Sequence, residues 1–136
     1  MPIDHEPDHE ALLEMYRRMV RIRQFEQLAV DLFKRGQVKG SIHAYIGQEA
    51  SGVGVCMTLR KDDLIAGTHR SHGHNLAKGA DPKRMLAEIL GKSTGYCQGR
   101  GGSMHIAAFE TGRTAFLNLD DHGFSVARTG AIIALP

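Results

Sequence analysis

The sequence predicts an α/β fold, in which amphipathic helices pack around short buried strands. Apolar residues recur at three- and four-residue steps over residues 9–35, which is the spacing of one face of a helix. The tripeptide at residues 64–66 is apolar and short, as a buried strand would be, and polar residues follow it. Helix-start signals then return at Asp81 and Pro82. Helical and strand-like segments therefore alternate along one chain.

The first helix is expected over residues 9–35. Asp8 can cap its first turn, and the basic residues at positions 34 and 35 suit the negative end of the helix dipole. Gly36 supplies a left-handed stop. Because an apolar stripe of this kind usually packs against a neighbour, we interpret the helix as scaffold and subunit-contact surface in preference to a catalytic element.

Three further elements are expected. Residues 48–59 form a second helix, in which Gly52 and Gly54 would allow another backbone to pack closely. Residues 64–66 form a strand, and the polar residues after it lie at its carboxyl end, where open α/β sheets bind ligands. A helix opened by Asp81 runs to residue 90, and residues 95–103 form a glycine-rich loop.

Composition limits the function classes. A chain of 136 residues is long enough for one modest domain and too short for two. A net charge of +2 with scattered Lys and Arg does not favour nucleic-acid binding. The N-terminus is acidic and polar, and no apolar run approaches the length of a membrane span, so we expect a cytoplasmic protein without a membrane partner. Cys56 and Cys97 fit neither a metal spacing nor a disulfide framework, which favours a reducing compartment.

Four polar motifs follow one another in the middle third of the chain. They are His43, Gly47-Gln48-Glu49-Ala50, Thr68-His69-Arg70-Ser71-His72-Gly73-His74 and Gly99-Arg100-Gly101-Gly102-Ser103-Met104-His105. Imidazoles, an arginine and glycine turns together indicate a site for a polyanion, because a guanidinium can donate two hydrogen bonds to phosphate oxygens. Two other interpretations stay open from the residues alone. Arg70 could be a surface arginine, and His69, His72 and His74 could bind zinc, although no cysteine or carboxylate lies at a matching spacing.

The order of these motifs resembles the alpha subunit of the thiamine-diphosphate-dependent 2-oxo acid dehydrogenases, the first component of the pyruvate, branched-chain and acetoin dehydrogenase complexes. The likeness runs from about Leu12 to Ala108. It implies the N-terminal part of a diphosphate-type thiamine-binding domain and an oxidoreductase that cleaves acetoin or a 2-oxo acid and transfers the acyl group to a lipoyl group. Residues 68–70 are closer to the acetoin type than to the pyruvate type. A beta subunit in a heterotetramer and a lipoyl acyltransferase component are the implied partners.

The resemblance also assigns roles to single residues. His69 and Arg70 would contact the cofactor diphosphate. His43 would reach the substrate or the first covalent intermediate, and His72 would line the active-site channel, so these two are the catalytic candidates. His105 would face the cofactor cavity, with a buried packing histidine as the alternative.

Two other residues receive structural interpretations. His74 is expected to be a structural histidine at the start of a helix, with its hydrogen bonds satisfied. Glu49 invites comparison with the glutamate that activates thiamine. In two-subunit members of the family that glutamate comes from the beta subunit, so we interpret Glu49 as a carboxylate stabilised by the N-terminal helix dipole.

The resemblance weakens towards the C-terminus. The family continues with a Gly-Asp-Gly motif whose aspartate binds magnesium, whereas this chain has a divergent tail at residues 113–136. Magnesium is expected for the family, but we predict no metal ligand here and disfavour Asp120 and Asp121 as substitutes. Residues 1–136 are thus interpreted as a single, incomplete domain of a truncated, frame-disrupted or fragmentary member that is inactive alone. The alternative from another class is a non-catalytic assembly remnant or interaction module.

Overall fold

A computed structural model describes residues 7–61, 63–108 and 133–135 of the chain. The elements are α1 (His9–Lys34), α2 (Glu49–Thr58), β1 (Leu64–Ala66), α3 (His72–Ala77), α4 (Pro82–Ile89) and β2 (Ile133–Leu135). Most of the regular secondary structure in these ranges is therefore helical. Asp120, Asp121 and most of the predicted divergent tail lie outside the described residues.

Capping residues set the starts of α1 and α4, and a glycine the end of α1, as the sequence predicted. The Asp8 carboxylate accepts a hydrogen bond of 2.7 Å from the backbone N–H of Ala11 at the start of α1. Asp81 caps α4 in the same way through the N–H of Lys83, at 2.8 Å. Gly36, just after α1, has a φ of 70°, which is the left-handed stop expected there.

Helices α1, α2 and α3 pack against one another and enclose much of the core. Ile22, Phe25 and Ala29 form the buried side of α1. The other side of α1 exposes large apolar side chains, among them Leu12 and Tyr16, whose exposed fractions are 50% and 63%. No described helix has the length and apolar character needed to cross a membrane.

Tyr45 is the largest fully buried side chain of this core, and glycines make the space for its ring. A Cβ atom at Gly52 would lie 2.5 Å from the Tyr45 hydroxyl, and one at Gly73 would collide with the ring carbons. The expectation that Gly52 and Gly54 admit another backbone was wrong. At Gly52 the neighbour is a side chain. At Gly54 an added Cβ would meet no described atom within 4 Å outside its own stretch of helix.

The predicted strand is present, and it pairs with a strand that the sequence did not indicate. β1 and β2 run antiparallel, with Leu64 opposite Leu135 and Ala66 opposite Ile133. Among the described residues, β1 and β2 are the strands present, and they form one two-stranded sheet. The α/β class and the larger sheet of a diphosphate-type domain consequently stay predictions.

Candidate functional site

Three of the predicted site residues lie close together in space: His69 and Arg70, which follow β1 in the chain, and His43, which precedes it. The rings of His43 and His69 meet edge to face, with centroids 4.6 Å apart and an interplanar angle of 77°. The Nη1 of Arg70 donates a hydrogen bond of 2.7 Å to the carbonyl oxygen of Ala44, the residue next to His43. All three side chains are half-buried. We call this group the His43 cluster.

The His43 cluster has the electrostatics of an anion site. Burial lowers the pKa of His43, and the charges of His69, Arg70 and His72 lower it further. The buried Nδ1 of His43 has no hydrogen-bond partner within the described protein. A neutral imidazole whose Nδ1 has no partner among the described residues, next to the permanent charge of Arg70, can accept or donate a proton beside a bound anion.

His72 lies at the first residue of α3 and is fully buried. Its Nδ1 is 2.8 Å from Oε1 of Glu26, and its Nε2 is 3.0 Å from both the carbonyl oxygen and the Oγ of Ser103. Both ring nitrogens therefore contact protein atoms, and the channel-lining role stays a prediction. Sequence reasoning missed Glu26. The available signal was a carboxylate next to Phe25, on the apolar side of a helix.

His74 is also buried, at the start of α3 as predicted, but its ring is not satisfied. Neither ring nitrogen has a hydrogen-bond partner among the described atoms. The Tyr45 ring meets it edge on, with centroids 5.0 Å apart. Burial lowers the pKa of His74 to about 4, so the ring is neutral at physiological pH. The expectation of satisfied hydrogen bonds was wrong because apolar packing, not a polar partner, surrounds the ring.

The glycine-rich loop folds around a carboxylate from its own chain. Glu88 of α4 is fully buried, and its Oε2 accepts hydrogen bonds of 2.8 Å from the N–H groups of Cys97 and Gly99. Its Oε1 accepts from the N–H groups of Gly101 and Gly102, at 2.6 and 3.3 Å. Backbone N–H groups converge on an anion here as they do in phosphate-binding loops, but a glutamate occupies them. The sequence predicted the turn and missed Glu88.

The two remaining candidates have clear positions. His105 is exposed, which rules out the alternative of a buried packing histidine. Glu49 is the first residue of α2, and it accepts hydrogen bonds from Nε of Arg23 at 2.6 Å and from the N–H of Gly47 at 3.0 Å. The bond to Arg23 is the main cause of the lowered pKa of Glu49. These contacts support the structural interpretation of Glu49.

The zinc alternative finds no support in the part of the chain that the structure describes. No group of three or more His, Cys, Asp or Glu side chains in those ranges could hold a metal ion. The nitrogens of His72 are already directed at Glu26 and Ser103. The histidines of residues 68–74 thus have different environments despite their close spacing.

Comparison with known proteins adds a family match. The profile of the family described as Dehydrogenase E1 component matches residues 17–122. The chain is similar to the alpha subunits of two acetoin:2,6-dichlorophenolindophenol oxidoreductases. It is 46% identical to that of Bacillus subtilis over 92% of this chain and 38% of the relative, and 54% identical to that of Cupriavidus necator over 77% and 32%. The alpha subunit of the pyruvate dehydrogenase E1 component of Zymomonas mobilis is 46% identical, over 81% and 31%. The chain spans about a third of the length of these relatives.

Proposed function

The chain belongs to the dehydrogenase E1 component family. On this premise we propose that it forms part of the alpha subunit of a thiamine-diphosphate-dependent dehydrogenase. The reaction would be the oxidative cleavage of acetoin or a 2-oxo acid, with transfer of the acyl group to a lipoyl group. Relatives named for acetoin and for pyruvate support this class of substrate. Residues 68–70 favour acetoin.

The observation that carries the proposal is the His43 cluster. A diphosphate fits it, because the cluster combines a permanent charge on Arg70 with a buried Nδ1 on His43 that has no hydrogen-bond partner in the described part of the chain. The hydrogen bond to the carbonyl oxygen of Ala44 fixes the direction of the Arg70 guanidinium. Arg70 therefore loses less conformational entropy when it binds a diphosphate. Arg70 and His69 would hold the diphosphate, and His105 would face the cofactor cavity.

Thiamine diphosphate supplies the acidic thiazolium carbon at which such substrates are cleaved. Beside it, His43 would transfer a proton at Nδ1, and the lowered pKa keeps the imidazole neutral near neutral pH, so that its unprotonated ring nitrogen can accept a proton. His72 is the second catalytic candidate. The family resemblance also implies magnesium, but no group of three or more His, Cys, Asp or Glu side chains in the described ranges could hold a metal ion, and we assign magnesium no step.

Partner chains are part of the same proposal. The exposed apolar side chains of α1, which include Leu12 and Tyr16, would contact a beta subunit in a heterotetramer. A lipoyl acyltransferase component would accept the acyl group, and the assembly would be cytoplasmic. Because the activating glutamate comes from the beta subunit in two-subunit members, the chain alone should not reduce a dye with acetoin or pyruvate.

Arg70→Ala tests the cofactor site. In the chain assembled with a beta subunit, the substitution should weaken thiamine diphosphate binding by about 1.5 to 3 kcal/mol, which is the contribution of a hydrogen bond to a charged group. Calorimetric titration measures the affinity. Arg60→Ala is the matched control, since Arg60 forms an exposed ion pair with Asp63. Equal affinities of the Arg70 variant and the unsubstituted protein would mean that Arg70 is only a surface arginine.

The exposed apolar side of α1 also favours a second candidate, a non-catalytic assembly module. The two candidates differ in turnover. A chain that binds a beta subunit and then supports substrate-dependent dye reduction is part of an enzyme. A chain that binds the beta subunit without restoring turnover is an assembly module.

A further inference from the structure

Glu26, His72 and Ser103 form a buried line of hydrogen-bonding groups across three segments of the chain. Glu26 and His72 have no exposed surface, and Ser103 is 4% exposed. The line runs from the Glu26 carboxylate through both ring nitrogens of His72 to Ser103, in steps of 2.8 and 3.0 Å. Phe25 packs its ring edge to face against His72, with centroids 5.6 Å apart.

The carboxylate decides how His72 is held. An ionised carboxylate only accepts hydrogen bonds, so His72 donates from Nδ1 wherever it faces an ionised Glu26. Nε2 is then directed at Ser103, whose hydroxyl and carbonyl oxygens are both within reach. Glu26 thus fixes both the tautomer and the orientation of the ring, as carboxylates do for histidines in catalytic triads.

The same line connects the glycine-rich loop to the His43 cluster. His72 is two residues after Arg70 and contacts Ser103 at the end of the loop. Asn75, one turn further along α3, donates a hydrogen bond of 3.3 Å to the carbonyl oxygen of Ile106. Residues 103–106 are therefore held to α3 by two hydrogen-bonded contacts, at His72 and at Asn75. Glu26 holds the ring of His72, which makes the first of these contacts.

We propose that Glu26 is a positioning residue of the cofactor site, which fixes His72 and through it holds the Ser103 turn against the start of α3, beside Arg70. The inference rests on the proposed function for its cofactor. Loss of the carboxylate releases the ring, and a neutral His72 then transfers its proton to Nε2 and donates to the Ser103 carbonyl. The turn and the start of α3 lose their fixed relation, although the core remains.

The tautomer of His72 gives a test that does not need the cofactor. Nitrogen-15 spectra of the ring should show a protonated Nδ1 in the unsubstituted chain and in Glu26→Gln, whose amide oxygen still accepts a hydrogen bond. In Glu26→Leu the proton should move to Nε2. An unprotonated Nδ1 in the unsubstituted chain, or an unchanged tautomer in Glu26→Leu, would overturn the proposal.

Titration with thiamine diphosphate tests the positioning role. Glu26→Leu should weaken binding about tenfold or more, whereas Glu26→Gln should stay within about threefold. Glu14→Leu, also on α1, removes only the partly exposed ion pair with Arg18 and should change neither the affinity nor the tautomer. Equal affinities for Glu26→Leu and the unsubstituted chain would overturn the role.

His72→Asn decides the matter if Glu26→Leu does not fold. The asparagine amide can still donate to Glu26, so the buried carboxylate keeps a partner, but the side chain is too short to reach Ser103. Binding should again weaken about tenfold, and affinity equal to that of the unsubstituted chain would overturn the proposal. If the unsubstituted chain with its beta partner binds no thiamine diphosphate, the proposed function and the cofactor role both fail. The nitrogen spectra then still show whether Glu26 fixes His72.

Discussion

Glu88→Gln is expected to destabilise the fold strongly, although the two side chains have nearly the same shape. The Glu88 carboxylate accepts four backbone N–H groups, two at each oxygen. Glutamine keeps one carbonyl oxygen for two of these donors and turns an NH₂ group towards the other two. A buried donor without a partner costs about 1 to 3 kcal/mol, so the free energy of unfolding should fall by about 2 to 6 kcal/mol.

Urea denaturation followed by circular dichroism measures this loss. Glu10→Gln is the matched control, because Glu10 is exposed in the first turn of α1 and its substitution should change stability by less than about 0.5 kcal/mol. Cys97 lies in the affected loop and Cys56 is buried in the core, so a thiol reagent should label Cys97 faster in the variant before unfolding. A stability equal to that of the control would refute the reasoning, since the loop would then have another way to satisfy its N–H groups.

Two further predictions concern the core around Tyr45. His74 contributes stability that is complete above its unfolded pKa of 6.5 and is lost as pH falls towards its folded pKa of about 4, because the unfolded chain binds the proton more readily. The free energy of unfolding, obtained from urea denaturation curves between pH 7 and pH 4, should fall by about 3 kcal/mol from this cause. His74→Leu should remove this component of the pH dependence. The same dependence of unfolding free energy on pH in His74→Leu and in the unsubstituted chain would contradict the prediction. Gly73→Ala should destabilise by about 2 kcal/mol or more, because its Cβ would collide with the buried Tyr45 ring. Gly54→Ala, where nothing lies within 4 Å, should be neutral or stabilising, and equal melting temperatures for these two variants would show that Tyr45 moves aside freely.

Local signals were sufficient to predict the starts of α1 and α4 and the end of α1, whereas the bounds of the short helix α3 were not predicted. Asp8 and Asp81 cap the helices that they precede, because the cap and the N–H group that it satisfies are only two or three residues apart. Gly36 stops α1 for a similarly local reason, the free access of glycine to positive φ. The prediction of β1 needed only a short apolar run. Residues 131–135 are also a short apolar run, but no local signal identified them as the partner of β1, because the pairing joins segments distant in sequence.

The candidate site divides in the same way. The sequence motifs identified His43, His69 and Arg70 as candidates. The contacts between them, which join segments far apart in the chain, were visible only in the structure.

The sequence by itself determined helices α1, α2 and α4, the glycine-rich loop and the family, since each depends on neighbouring residues or on motif order. Only the tertiary structure decided that His72 is held by Glu26 and Ser103, that Glu88 occupies the glycine-rich loop and that His74 is buried without a hydrogen-bond partner among the described residues. Each of these facts depends on which groups meet in the core. The packing of helices that are distant in sequence fixes which groups meet there, and the spacing of residues along the chain does not reveal these contacts.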